Sequence, residues 1–342
     1  MRTEILFMKK TVVILLLATI IVSFNTISNS WKEVSPEEIN IAINKTITIM
    51  QPSDRMFLEN AGTCHSCHHQ DLSAITIFKA KEKGYPVNDT IFNETIESIL
   101  ATLKSRKATN AENDDPVAIV MSGAYSIWAL AENKYPSNKI IDLQVKNLMQ
   151  RQTKNGSWVS PNPRPPLEYY AITATALVIR AMKDYTPAAL REQAIERTMK
   201  AVNWLSKEVP ETNEEKAFQL LGLTWANADS KIINQVANKL IAAQQKDGGW
   251  SQLETLETDA YATGQSLHAL YESGQLKSSD PVYQKGISFL LNNQKADGSW
   301  RIKSRSFAAV PFVETGFPVG GDQFISAAGS NWAMLALLHA SK

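Results

Sequence analysis

The chain has 342 residues, with 35 basic against 34 acidic side chains, and no block of like charge that could neutralise a phosphate backbone or grip an anionic membrane. Nucleic acid is therefore disfavoured as a partner. At 44% hydrophobic, with 14 Pro and 15 Gly spread thinly, the sequence can bury one or two cores and is not that of a disordered chain.

Residues 1–30 read as a leader. Arg2, Lys9 and Lys10 precede an unbroken apolar run from Thr11 to Phe24, which gives way to polar NTISNS. The run is short for a membrane span, so the expectation is a signal peptide and an exported protein of the periplasm or cell envelope. Membrane contact is then confined to this segment, if it stays as an uncleaved anchor. Residues 31–342 are expected to form one domain.

A first amphipathic helix is predicted near 35–50. The stretch after it, Ala61 to Gln70, holds both cysteines and three of the five histidines of the chain. Cys64-His65-Ser66-Cys67-His68 fits C-x-x-C-H, the haem c attachment pattern: two thiols two residues apart reach the two vinyl groups of one porphyrin, and the histidine that follows can bind the iron. A redox disulfide and a zinc site are the alternatives. The first usually belongs to a βαβ setting, and the second usually draws on a more distant ligand pair. Candidates for the opposite iron ligand are Met56, Met121 and His69, and an open position is equally compatible.

From there the pattern alternates. Amphipathic segments near 88–106, 138–152, 188–208, 230–246 and 280–294 have one apolar face. Segments near 69–84, 115–133, 167–184, 213–228, 257–274 and 322–340 are apolar nearly all round, as in Ala171 to Met182. Three of the turns between them share Q-x-x-x-G-x-W: Gln152 to Trp158, Gln244 to Trp250 and Gln294 to Trp300. The spacing of about 46 to 50 residues places a degenerate copy at Trp204. In each copy the glycine is expected to supply a left-handed turn and the tryptophan to bury its ring against the next unit. The last loop, Ser306 to Phe324, is long and apolar, with Phe307, Phe312 and Phe317. It is either a surface excursion filled by its own aromatics or a cover over the cysteine cluster, as the loop Ala108 to Pro116 could also be.

Six hairpins of this kind predict an all-α, closed (α/α)6 toroid with the apolar helices lining the axis, an open superhelix of the same units being the alternative. The Q-x-x-x-G-x-W copies resemble the QW repeats of squalene-hopene cyclases, whose toroid is shared with protein prenyltransferases. The C-x-x-C-H stretch resembles that of c-type cytochromes.

The first resemblance implies a proton-donating aspartate in a D-x-D-D-T-A motif at the start of an inner helix. The match here is Glu257-Thr258-Asp259-Ala260-Tyr261-Ala262, with Asp259 at the acid's position and the last aspartate replaced by Ala260. An aspartate in this place is more often a helix N-terminal cap or first-turn acid than a catalyst. The prenyltransferase zinc site needs a cysteine that this chain lacks after Cys67, and His268 and His339 read as core histidines.

The leading expectation is thus an exported haem c protein with a redox role, a redox partner protein, and a small apolar or sugar ligand in a cavity on the toroid axis. The alternatives are a haem-free binding or scaffolding toroid, and a non-redox enzyme such as a degenerate cyclase using Asp259 or a polysaccharide lyase. A polysaccharide lyase would need several cations, and only Arg180 lies within the apolar body of an inner helix.

Overall fold

Ser35 opens the first helix with a capping box: its hydroxyl accepts the Glu38 amide (3.2 Å) while the Glu38 carboxylate accepts the Ser35 amide (2.9 Å). In this computed structural model, described for residues 34–62, 66–106, 119–160, 164–167, 169–306 and 312–341, twelve α-helices follow one another as six hairpins. The outer helices are α1 (Pro36–Ala61), α3 (Asp89–Ser105), α5 (Lys139–Gln150), α7 (Arg191–Leu205), α9 (Ser230–Ala242) and α11 (Pro281–Asn293). The inner helices are α2 (Leu72–Glu82), α4 (Ile119–Glu132), α6 (Ala171–Tyr185), α8 (Asn213–Trp225), α10 (Ala260–Glu272) and α12 (Gln323–Ala340). A π-helical turn, Cys67–Asp71, leads into α2, and a two-residue ladder pairs Trp250 with Asp259 ahead of α10. Residues 1–33, with the expected leader, lie outside the described residues, as do residues 107–118. No described helix is long and apolar enough to cross a membrane.

Each Q-x-x-x-G-x-W turn is a joint between neighbouring hairpins. Gln152 donates to the carbonyls of Gly156 (2.9 Å) and of Arg197 on the next outer helix (2.8 Å), and Gln244 does the same to Gly248 (2.9 Å) and Val282 (2.8 Å). The tryptophan indoles donate back to the outer helix they follow: Trp158 to Leu148 (2.6 Å), Trp250 to Leu240 (2.8 Å) and Trp300 to Leu290 (2.8 Å). All three rings are fully buried. At roughly 150–250 Å² each, such burial stabilises by up to about 4–6 kcal/mol per ring, an upper bound. The glycines are required twice over. Gly156, Gly248 and Gly298 have φ of 100°, 91° and 95°, and a β-carbon on any of them would sit 2.6 Å from backbone of the next outer helix.

The third copy closes the ring. Gln294 reaches the Ala42 carbonyl (3.0 Å) and Thr46 Oγ1 (3.1 Å) of α1, Thr46 donates to the Gly298 carbonyl (3.0 Å), and Lys83 after α2 donates to the Ser341 carbonyl (2.7 Å). These contacts span about 250 residues of sequence, so the open superhelix is excluded.

Three expectations are corrected. The first outer helix runs past Pro52 to Ala61, because Ser53, Asp54 and Phe57 continue its buried face and offset the amide that proline lacks. Trp204 is not a degenerate turn: it lies within α7, partly buried, and Gln219 of α8 ties that turn instead by donating to the carbonyls of Leu205 (2.6 Å) and Glu208 (2.9 Å). The expected hollow on the axis is filled where the inner helices meet. Trp128 of α4 contacts Trp225 of α8 (ring centroids 5.5 Å apart) and Trp332 of α12 (6.0 Å), and Phe218 of α8 meets Trp332 edge-on (6.1 Å). Alternate inner helices thus touch across the ring through large aromatic side chains, which occupy the space a ligand would need.

Candidate functional site

The described part of the cysteine cluster, Ser66 onward, sits on the rim where outer helices turn into inner ones. Thr63, Cys64 and His65 lie outside the described residues. Ser66 caps the π-helical turn, accepting the His69 amide (3.1 Å) and donating to Gln70 Oε1 (2.8 Å), and this fixes the direction of the next two side chains. Cys67 is fully buried. The His68 ring meets Ser66 Oγ through Nδ1 (3.3 Å) and stacks on Phe324 of α12 (4.9 Å, 16°), with Phe57 of α1 edge-on (5.7 Å). Its carbonyl accepts from Asn331 of α12 (3.1 Å), so the turn is held by the last hairpin as well as the first.

His69 is fully buried and takes a different path. Its Nδ1 faces His68 Nδ1, its Nε2 meets Ser53 Oγ of α1 (3.1 Å), and its ring lies stacked on Phe57 (5.3 Å) and edge-on to Phe317 (6.2 Å). Burial pushes its pKa down to about 3, so it is neutral at physiological pH. Both ring nitrogens are engaged, which removes His69 as a ligand opposite His68. Met121 is fully buried in the main core on α4. Met56 is 36% exposed, and its sulfur lies against Gly316, where an added β-carbon would be 2.9 Å away.

The sixth loop therefore covers this rim. Asn60 of α1 donates to the Glu314 carbonyl (2.8 Å), Phe317 is buried beside His69, and Phe312 lies over Phe324 (6.4 Å, 23°). Of the three phenylalanines expected there, Phe307 lies outside the described residues. The rim is thus an aromatic enclosure built by three separate parts of the chain around two histidines and a thiol.

A second cluster occupies the starts of α6, α8 and α10. Asp259 caps α10, accepting the Ala262 amide (2.8 Å), and also accepts from Gln252 (2.8 Å), whose other atom takes a hydrogen bond from Arg305 (2.9 Å). Burial, against these hydrogen bonds, raises the Asp259 carboxyl to about 6. The more perturbed acid is Glu214, fully inside and bonded by Tyr261 (2.9 Å), Gln265 (2.6 Å) and Thr173 (3.2 Å). Burial pushes it up to about 8, so it is mostly protonated at neutral pH. Sequence reasoning missed Glu214 because Thr212 and Glu215 form a capping box beside it. The available signal was its register: positions 214, 218, 221 and 225 fall on one apolar stripe of α8. Tyr169 is half exposed ahead of α6. Arg180 lies near the far end of α6, paired with Glu132 and Asp184, so this face carries acids and tyrosines in place of a cationic array.

No family model matches the chain, and no curated protein does. Among solved structures it is similar to the type II terpene cyclase MstE from Scytonema, at 14% identity over 89% of this chain and 99% of that one, with a TM-score of 0.55. It is similar to the unsaturated glucuronyl hydrolase of Bacillus sp. GL1, responsible for glycosaminoglycan degradation (13% identity, 86% and 96% covered, TM-score 0.55). It is similar also to an unsaturated glucuronyl hydrolase specific for heparin (11% identity, 90% and 97% covered, TM-score 0.59). Identities this low carry the fold and not the chemistry. The chain is an α/α toroid of the kind that type II terpene cyclases and unsaturated glucuronyl hydrolases share.

Proposed function

We propose that the chain is an exported haem c protein, a closed ring whose rim carries one covalent haem and exchanges electrons with a redox partner protein. Cys64 and Cys67 would form the thioether anchors and His68 the proximal iron ligand. The observation that carries this reading is that C-x-x-C-H is the sole use of cysteine in the chain, and that its described part lies inside a wall of Phe57, Phe317 and Phe324. The residues present fit such a group: a thiol and an imidazole side by side, the imidazole oriented through Nδ1 by Ser66, and apolar rings around them. A bound haem would supply one-electron chemistry at iron, tuned by the aromatic surround. Ser66 would hold the His68 ring in place, burial would keep His69 uncharged beside it, and the phenylalanines would exclude water. Met56, on the rim and against the covering loop, is the proposed side chain for the opposite face. Expression with a haem c maturation system and an exported leader should give a Soret band and a pyridine haemochrome, both lost in C64A/C67A. Colourless protein from that system would overturn the reading.

A second reading is favoured by Glu214 and by the enzymatic nature of the similar toroids: a non-redox enzyme in which Glu214, protonated at neutral pH, donates its proton to an unsaturated ligand at the ring mouth, with Tyr261 and Asp259 alongside. Trp128, Trp225 and Trp332 leave such a ligand only the mouth and not the axis. The two readings separate cleanly. Under the second, E214Q abolishes the cellular role while C64A/C67A leaves it intact; under the first, the reverse holds.

A further inference from the structure

The two histidines outside the rim meet at the other end of the inner layer. His268, in the last turns of α10, and His339, at the end of α12, bring Nδ1 and Nε2 to 3.0 Å, and Glu272, one turn after His268, puts a carboxylate oxygen 3.8 Å from the same His339 nitrogen. All three donor atoms lie within 4.8 Å of one another. Phe324 and His339 are both on α12, and fifteen residues of helix set them about 22 Å apart, so this cluster is separate from the rim.

From this convergence we propose that His268, Glu272 and His339 form a binding site for a divalent transition metal of the zinc class, clamping α10 to α12. Two imidazoles and one carboxylate are a known zinc donor set that leaves a fourth position for water. Donors about 2.0–2.1 Å from a tetrahedral ion lie ~3.3 Å from each other, between the two separations found here. Rotation of the partly exposed Glu272 side chain brings in the third atom.

A second observation concerns His268 itself. It is 1% exposed, and its Nε2 has no hydrogen-bond partner among the described residues, so the ring's described hydrogen bond is the one Nδ1 makes with His339. Burial keeps both imidazoles neutral, the form that ligates metal, and binding needs a tautomer shift in one ring with no proton lost. The nearby cations are already committed: Lys79 and Arg180 both pair with Glu132 (3.0 and 2.8 Å), and Lys83 is held by the Ser341 carbonyl.

The test uses the mature full-length chain carrying C64S/C67S, which removes the thiols as competing ligands, titrated with Zn²⁺ by calorimetry and with Co²⁺ by visible absorption. The expected result is one equivalent bound, tetrahedral cobalt bands, and a rise in Tm with metal. H339Q and E272Q, both at partly exposed positions, should each keep the helical circular dichroism and weaken binding at least roughly 100-fold, the upper end for losing even an outer-shell partner. Failure of the C64S/C67S protein to bind either ion, or unchanged affinity in folded E272Q, would overturn the proposal.

Discussion

Glu214 offers the sharpest quantitative test of the ring mouth. Its carboxyl is pushed from 4.5 to about 8 by burial, a difference that corresponds to about 5 kcal/mol between the two protonation states. The sign follows from proton counting. Below pH 4.5 the acid is protonated in both folded and unfolded chains and contributes nothing. Between pH 4.5 and 8 the unfolded chain gives up the proton while the folded one keeps it, so stability falls as pH rises. Glu214→Gln removes the titration at nearly constant shape. The network can absorb the amide: Gln265 Oε1 has no partner among the described residues, and turning that amide over presents an acceptor to position 214. Wild type and E214Q should therefore unfold at equal denaturant free energy, within about 1 kcal/mol, at pH 4. By pH 8.5 the variant should be more stable by up to about 5 kcal/mol, or roughly 10 °C in Tm for a chain of this size. Urea unfolding followed by circular dichroism across that range measures it. A difference independent of pH, or a variant that is less stable at pH 8.5, would show that the carboxyl is not held protonated in the fold.

Two further outcomes follow from the same geometry. Gly298→Ala places a β-carbon 2.6 Å from Lys45 backbone at a φ of 95°, so it should destabilise by about 2–4 kcal/mol, with hydrogen exchange rising first in α1 and α11 at the ring seam. Glu132→Gln should cost about 3 kcal/mol at pH 7 by leaving Lys79 and Arg180 without their shared partner. Although burial opposes ionisation, those two cations hold the Glu132 carboxyl at about 2; its contribution is present above pH 4.5 and fades as pH falls toward 2, where wild type and variant should converge in the same urea assay.

Much of this architecture was legible because it is local. The apolar period of the helices and the Gln, Gly and Trp of each turn act within one repeat, and apart from α1 the observed helices start and stop within a few residues of the sequence pattern. The end of α1, expected near residue 50, was not legible, because its buried face continues past Pro52 through Asp54 and Phe57, a tertiary effect. The filled axis was not legible either, since Trp128, Trp225 and Trp332 come together only when alternate inner helices meet across the ring. The same holds for chemistry: Asp259 is visible as a motif residue and a cap, whereas Glu214 becomes unusual through its burial where α8 packs on α10, beside Tyr261 and Gln265 about 50 residues away. His268 and His339 look like separate core residues until α10 and α12 pack together.

Intact mass spectrometry of the protein exported alongside a haem c maturation system tests most directly the proposed covalent bond between the chain and a porphyrin. The predicted result is a mass greater than that of the leader-free polypeptide by one haem, abolished when Cys64 and Cys67 are replaced by alanine. A mass equal to the polypeptide alone would contradict the haem assignment.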